Sequence, residues 1–279
     1  MTSRPLDLLR ERFDADLIET SDYLGDASAT VRREALLDVL RFCRDDARLR
    51  CVLLLDVVGV DWPGRPERFA VVYLLRGLDP RTRLRIKVRG PEDGSVASAA
   101  GLWKSAEWHE RETYDLFGVR FDGHPDLRRL LTHHQFEGHA LRKDYPIEQG
   151  QMCYVPELLL TDEEIEGGAA LVGYGPETSV DCAGEEEIRS DFLPVNIGPS
   201  HPAMHGALRV EALLDGETIV HSRTEIGYLH RCFEKESEDH TWQQIIPYTD
   251  RLNYVSALTN NVGYVLAVEK MMGVEVPER

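Results

Sequence analysis

The sequence predicts an α+β fold: an antiparallel sheet carrying helices, an acidic linker, and then a β-hairpin followed by helices. Three observations predict it. Three strand-like runs rich in Val, Leu and Tyr are separated by tight turn chemistry rather than by helices. A stretch of acidic, glycine-broken sequence divides the chain at 157–191. Beyond it, Asp215-Gly216 sits between two extended runs, which is a strong hairpin signal. The expected organisation is a first domain over 1–150, a linker over 151–191 and a second domain over 192–279.

Taken in order, the spacing of Val31, Ala35, Leu36, Val39, Leu40 and Cys43 predicts a helix over 30–46, with Thr30 as its cap. Strands are expected over 51–60, 69–75 and 84–88. Trp62-Pro63-Gly64 and Gly77-Leu78-Asp79-Pro80 join them, and such short links favour antiparallel neighbours. Residues 95–117 read as mostly helical, stopped by Gly118. The linker over 157–191 holds eleven acidic residues against Arg189 alone, a net −10 out of the chain's −17. It reads as solvated, with an acidic docking arm as the functional alternative. Extended structure is expected over 192–197, 207–214 and 218–223, and helices over 232–246 and 251–273. The last of these carries a broad apolar face through Leu252, Val255, Leu258, Val262, Leu266 and Met272.

Composition narrows the function classes. A formal charge of −17 argues against binding nucleic acid or anionic lipid through bulk charge. No apolar run approaches the roughly 20 residues of a membrane span. The best candidate, 51–60, is broken by Asp56. Cys43, Cys51, Cys153, Cys182 and Cys232 form no C-x-x-C pair, so no zinc or iron–sulfur site is expected on this chain.

Two blocks carry the chemistry. The first runs Glu110-Arg111-Glu112-Thr113-Tyr114-Asp115-Leu116-Phe117-Gly118 and continues into His124-Pro125-Asp126-Leu127-Arg128-Arg129. Arg111 and Asp115 share a helical face, and Arg128 and Arg129 lie across a turn from the carboxylates. A structural ion-pair lattice is the expectation over a catalytic carboxylate pair. His133, His134 and His139 follow, with adjacent positions pointing apart on a strand and hence a poor metal set. The second block is Asn196-Ile197-Gly198-Pro199-Ser200-His201-Pro202-Ala203-Met204-His205-Gly206. Its Gly/Pro frame makes a stiff turn that suits holding a ligand, with His205 able to give a proton near neutral pH and Gly206 leaving room beside it. Tyr254, at the start of the last helix, is either a core aromatic or a donor at a pocket rim.

At these residues the chain resembles respiratory complex I, the proton-translocating NADH:quinone oxidoreductase. Residues from about 30 to 148 resemble its 30 kDa subunit, through the first block and through Phe136-Glu137-Gly138-His139 and Leu141-Arg142-Lys143-Asp144-Tyr145-Pro146. Residues from about 192 to 279 are similar to the start of its 49 kDa subunit, through 196–206, Ile226-Gly227-Tyr228-Leu229-His230-Arg231, Asp250-Arg251-Leu252 and Leu266-Ala267-Val268-Glu269-Lys270. Some bacteria fuse the two in this order, as a single C/D polypeptide.

The resemblance implies a peripheral-arm subunit that helps form the quinone-reduction site. His205 and Tyr254 match the quinone head-group ligands, with His201, Met204 and Gly206 around them. It implies quinone as substrate, and NAD and iron–sulfur clusters on partner subunits, among them the one carrying the terminal cluster. It also implies attachment through membrane-arm subunits at the cytoplasmic face of the bacterial inner membrane. The 49 kDa subunit is related to the large subunit of nickel–iron hydrogenases. The stretch 250–255, Asp-Arg-Leu-Asn-Tyr-Val, has no cysteine for a nickel cage, which favours quinone reduction over a related membrane-bound hydrogenase. Met204 and Asn253 depart from the family's usual residues, as does Ala140, which stands where Pro is common. The hydrogenase-like domain is expected to be incomplete at Arg279, which leaves a non-catalytic structural or assembly role as the alternative.

Overall fold

The computed structural model describes residues 4–23, 25–90, 94–133, 135–151, 193–203 and 206–277. The acidic stretch over 157–191 lies outside them. Among the described residues the fold is mixed α+β, with a five-stranded sheet in the first part and a three-stranded sheet with helices in the second.

The chain opens with helix α1 (Arg4–Phe13), then β1 (Leu17–Tyr23) and β2 (Asp26–Val31). Helix α2 (Leu36–Asp45) follows, then the meander β3 (Leu53–Asp61), β4 (Phe69–Arg76) and β5 (Arg83–Gly90). Strand order is β1-β2-β5-β4-β3. The three expected strands are present and their two links are antiparallel, as the short turns require. The sheet is nevertheless mixed, because β2 pairs with β5 in parallel.

The helix expected over 30–46 is corrected at its start. Thr30 and Val31 belong to β2, and the helix begins at Leu36 after a 3-10 turn at Arg33–Ala35. The physical reason is a two-residue period overlapping a helical one. Ala27, Ala29 and Val31 are buried on the inner face of the sheet, where small side chains let α1 and α2 approach. On β5 the same alternation sends Leu84, Ile86 and Val88 into the core, and Arg83, Arg85, Lys87 and Arg89 outward.

Residues 95–117 are not one helix. Strand β6 (Ser95–Ala97) pairs in parallel with β7 (Arg120–Asp122), and helix α3 spans only Ala106–Phe117. The backbone at 98–99 is drawn from helical geometry by Glu110, whose carboxylate accepts from Ser98 Oγ at 2.6 Å and Ala99 N at 2.7 Å. Gly118 stops α3 in the left-handed region at φ 78°.

The segment entering α3 and the helix itself also close the free edge of β3. Trp103 Nε1, Ser105 Oγ and Thr113 Oγ1 donate to the carbonyls of Val52, Leu54 and Val57 at 3.2, 3.3 and 2.6 Å. Those carbonyls would otherwise be an open template for another strand.

In the second part, β8 (Leu193–Ile197), β9 (Arg209–Asp215) and β10 (Thr218–Glu225) form a sheet in the order β10-β9-β8, with the expected hairpin at Asp215-Gly216. The single helix expected over 232–246 is instead two, α4 (Phe233–Asp239) and α5 (Trp242–Thr249). Thr241 and Gln244 form a capping box that starts α5 afresh. The last helix, α6 (Ala257–Met272), is preceded by a 3-10 turn at Tyr254–Ser256. No helix among the described residues is long and apolar enough to cross a membrane.

The two parts touch through segments that follow each sequence block, 131–143 in the first part and 227–238 in the second. Lys235 on α4 is buried and donates from Nζ to the Arg142 carbonyl at 2.8 Å, and Lys143 pairs with Glu238. Gly227 (φ 110°) passes so close to the Leu131 carbonyl that any Cβ would overlap it, so only glycine fits there.

Candidate functional site

The first block is a structural lattice. Asp115, on the last turn of α3, is fully buried. Its carboxylate accepts from the amides of Leu130, Leu131 and Thr132 at 3.0, 2.8 and 2.8 Å, from Thr132 Oγ1, and from the Arg129 guanidinium at 2.9 Å. Burial works against its ionisation, but these donors outweigh it and hold the carboxyl below the usual range. Thus Arg129 meets Asp115 as expected. Arg128 instead pairs with Asp126 at 2.9 Å. Arg111 shares the helix face of Asp115 but donates to the carbonyls of Arg128 and Arg129 at 3.2 and 3.0 Å. One helix therefore organises the whole 128–132 turn.

The rest of the block has the same character. Burial pushes the Glu110 carboxyl up to about 7, with Ser98 and Ala99 opposing. His139 Nδ1 lies 2.8 Å from the Asp115 carbonyl oxygen, and burial lowers its pKa. His133 packs edge-on against Phe136, and His134 lies outside the described residues. Asp61 on β3 receives a two-pronged Arg68 at 2.7 and 2.8 Å and the Lys143 amide at 2.8 Å. This pins the Arg142-Lys143-Asp144 run to the sheet edge. No group of three His, Cys, Asp or Glu among the described residues is placed to hold a metal.

The second block builds a different object, a loop closed on its own exit. Gly198 has φ 93°, and a Cβ there would overlap the Leu208 carbonyl across the loop. Below it, buried Arg209 ties three elements together, donating to Asn196 Oδ1 at 3.1 Å, Glu225 at 3.3 Å and Glu211. Tyr228 donates to Glu225, and burial together with that carboxylate pushes its phenol up to about 12. The loop thus stands on a charged foundation rather than on apolar packing.

Of the predicted ligand residues, His201 is exposed, and its Nδ1 accepts from the Ala203 amide at 3.1 Å. Met204 and His205 lie outside the described residues. Gly206 is left-handed at φ 95°, and a Cβ placed on it would lie 3.8 Å from the Tyr254 hydroxyl. Tyr254 is 70% exposed, so it is not a core aromatic. Segments 48 residues apart thus bring the loop beside the phenol.

Sequence reasoning missed the two asparagines that brace the segment between α5 and α6. Asn260 Nδ2 donates to the carbonyls of Thr249 and Asn253, each at 3.1 Å. Asn261 Nδ2 donates to Asp250 Oδ1 at 2.6 Å. The available signal was Asn-Asn inside an apolar helix, where short polar side chains commonly turn back to nearby backbone.

Comparison with known proteins agrees with these two blocks. Residues 29–151 match the family model described as respiratory-chain NADH dehydrogenase, 30 Kd subunit. The C/D subunit of the NADH-quinone oxidoreductase of Bdellovibrio bacteriovorus is 44% identical over 98% of this chain and 45% of its own length. That of Azotobacter vinelandii is 40% identical over 97% of this chain and 46% of its own length. A solved chain of the membrane-bound sulfane sulfur reductase, an archaeal respiratory membrane complex, aligns with 51% of this chain at 22% identity and a TM-score of 0.45. This chain spans a little under half the length of the curated relatives it matches. Residues 29–151 thus match the 30 kDa-subunit family, and the chain over nearly its whole length is similar to part of the C/D subunits of NADH-quinone oxidoreductases.

Proposed function

We propose that the chain is a peripheral-arm subunit of an NADH:quinone oxidoreductase, in which 1–150 is a docking scaffold, 151–191 a linker and 192–279 the start of a hydrogenase-large-subunit-like domain that helps form the quinone-reduction site. The observation that carries the reading is the approach of the Gly206 backbone to the Tyr254 hydroxyl, which sets the neighbour of His205 beside an exposed phenol.

The chemistry follows from what quinone requires. Taking up two electrons puts negative charge on two carbonyl oxygens at opposite ends of a ring. Each is stabilised by a donor aimed at it and is finally protonated. An imidazole at His205 and a phenol at Tyr254 are suited to opposite ends, with His201, Met204 and Gly206 shaping the surroundings. Electrons come from an iron–sulfur cluster on a partner subunit, and NAD is handled by another. Membrane-arm subunits hold the assembly at the cytoplasmic face of the inner membrane, so the chain is peripheral. Coupling of the reaction to proton translocation belongs to the assembled complex.

The test uses the membrane complex carrying His205→Ala or Tyr254→Phe. Quinone reduction is expected to fall by about 100-fold for the imidazole, and by less for the phenol. Oxidation of NADH by an artificial acceptor stays intact. Normal quinone turnover in both variants removes the assignment.

A further inference from the structure

We propose that Asn260 is a positioning residue for quinone reduction, acting through Tyr254. The inference rests on the reading of Tyr254 as a head-group donor and goes beyond it, because Asn260 does not itself touch the loop at 196–206 in any described contact.

Packing does not hold Tyr254. Its ring is 70% exposed, and its neighbour Val255 is 88% exposed. Among the described residues its hydroxyl makes no hydrogen bond, so the phenol is free to donate. What fixes the ring's origin is the backbone of the turn between α5 and α6. That turn leaves helical geometry at Asn253 (φ −143°, ψ 91°) and re-enters a single 3-10 turn at Tyr254–Ser256. Each flank of the turn has one local amide bond, Leu252 N to the Thr249 carbonyl at 3.3 Å and Ser256 N to the Asn253 carbonyl at 3.0 Å.

Asn260 adds a second donor to both carbonyls and so joins the two flanks. Its amide nitrogen spans the carbonyl of Thr249, the last residue of α5, and that of Asn253, immediately before Tyr254, each at 3.1 Å. Its Oδ1 accepts from Ser256 Oγ at 3.4 Å. Because carbonyls can only accept and the hydroxyl can give, the network fixes which way the amide faces. The side chain thus bolts both flanks of the turn to the first turn of α6. Asn261, next along, behaves differently. It links the side chains of Asp250 and Thr249, each at 2.6 Å, and does not reach residues 253–256.

The test is made in the assembled membrane complex, with quinone reduction normalised to NADH oxidation by an artificial acceptor. Asn260→Asp keeps the shape and removes the donor. It is expected to lower the quinone turnover number by about tenfold, since a small misplacement of a reacting group is enough to do so. In a Tyr254→Phe background the same change is expected to add less than about twofold, the mark of two residues acting as one unit. Asn261→Asp, the same chemical change one position along, is expected to stay within about twofold of the parent.

Full activity of Asn260→Asp beside a slow Tyr254→Phe overturns the positioning role and leaves the phenol's role standing. So do losses that multiply in the double variant, or an Asn261→Asp as slow as Asn260→Asp. Normal turnover of Tyr254→Phe overturns the reading of Tyr254 itself. If Asn260→Asp fails to assemble, Asn260→Gln retains the donor one methylene further out and is read by the same criteria, with an expected fall of about threefold.

Discussion

The two parts of this chain solve the same problem in opposite ways. In residues 4–151 the apolar surface is turned inward. Leu9, Leu36, Leu40, Tyr73 and Ile86 are completely buried between the sheet and its helices. In residues 193–277 much of it is turned outward. Helix α6 buries no residue, and Leu258 is 79% exposed. Burying one Leu, Ile or Val side chain stabilises a fold by roughly 1.5–3 kcal/mol, so the first part carries its own stability. The second is held by polar bolts instead, through Arg209, Lys235, Asn260 and Asn261. A region built this way places loops and turns with directional bonds, and its geometry is sensitive to single polar atoms.

The contrast can be broken most forcefully at Asp115. Replacing it by Ala leaves Arg129 without its carboxylate and three backbone amides without an acceptor. The expected cost is about 4 kcal/mol, read from the urea midpoint of the chain, because removing one partner of a buried pair leaves the other uncompensated. A loss under about 1 kcal/mol would mean that the 128–132 turn holds itself.

A slightly smaller effect belongs to pH. Glu110 has its folded pKa raised from 4.5 to about 7, so the folded state prefers the proton. Its contribution is full below pH 4.5, declines as pH rises and is lost by about pH 7. At 1.36 kcal/mol per unit, the fall amounts to about 3 kcal/mol. Asp61 and Asp115 have lowered values and act in the opposite sense, their stabilisation being present above the ordinary carboxylate range and lost as the solution is acidified through their folded pKa values. Glu110→Gln is therefore expected to flatten the limb of the stability profile between pH 4.5 and 7 that this carboxyl sets. An unchanged slope in that variant would assign the limb to other groups.

The smallest effect sharpens the comparison directly. Leu258→Ala on α6 is expected to change stability by less than about 0.5 kcal/mol, against about 3 kcal/mol for the same truncation at Leu40. Equal losses at the two positions, measured by denaturant titration, would show that α6 is covered in solution.

Much of this was legible in the sequence. Strands β3, β4 and β5, the Gly118 stop and the Asp215-Gly216 hairpin follow from alternation and turn chemistry, which are local. Strands β1 and β2 were not legible. Leu17–Tyr23 is largely polar and Asp26–Val31 is small and polar, so neither shows the apolar contrast that marks a strand. The candidate site divides the same way. The Gly/Pro loop and Tyr254 stand out as motifs, while Asn260 looks like an ordinary helix residue until its side chain is seen to turn back.

By itself the sequence determined the family resemblance, the α+β class and the two motif-bearing blocks. These depend on residue types and spacings within a few turns of chain. Only the tertiary structure decided that β2 runs parallel to β5, that Glu110 draws 98–99 out of a helix, and that the loop at 206 meets the phenol at 254. Each of those is a pairing between distant segments, settled by which buried polar groups find partners. No local pattern records that outcome.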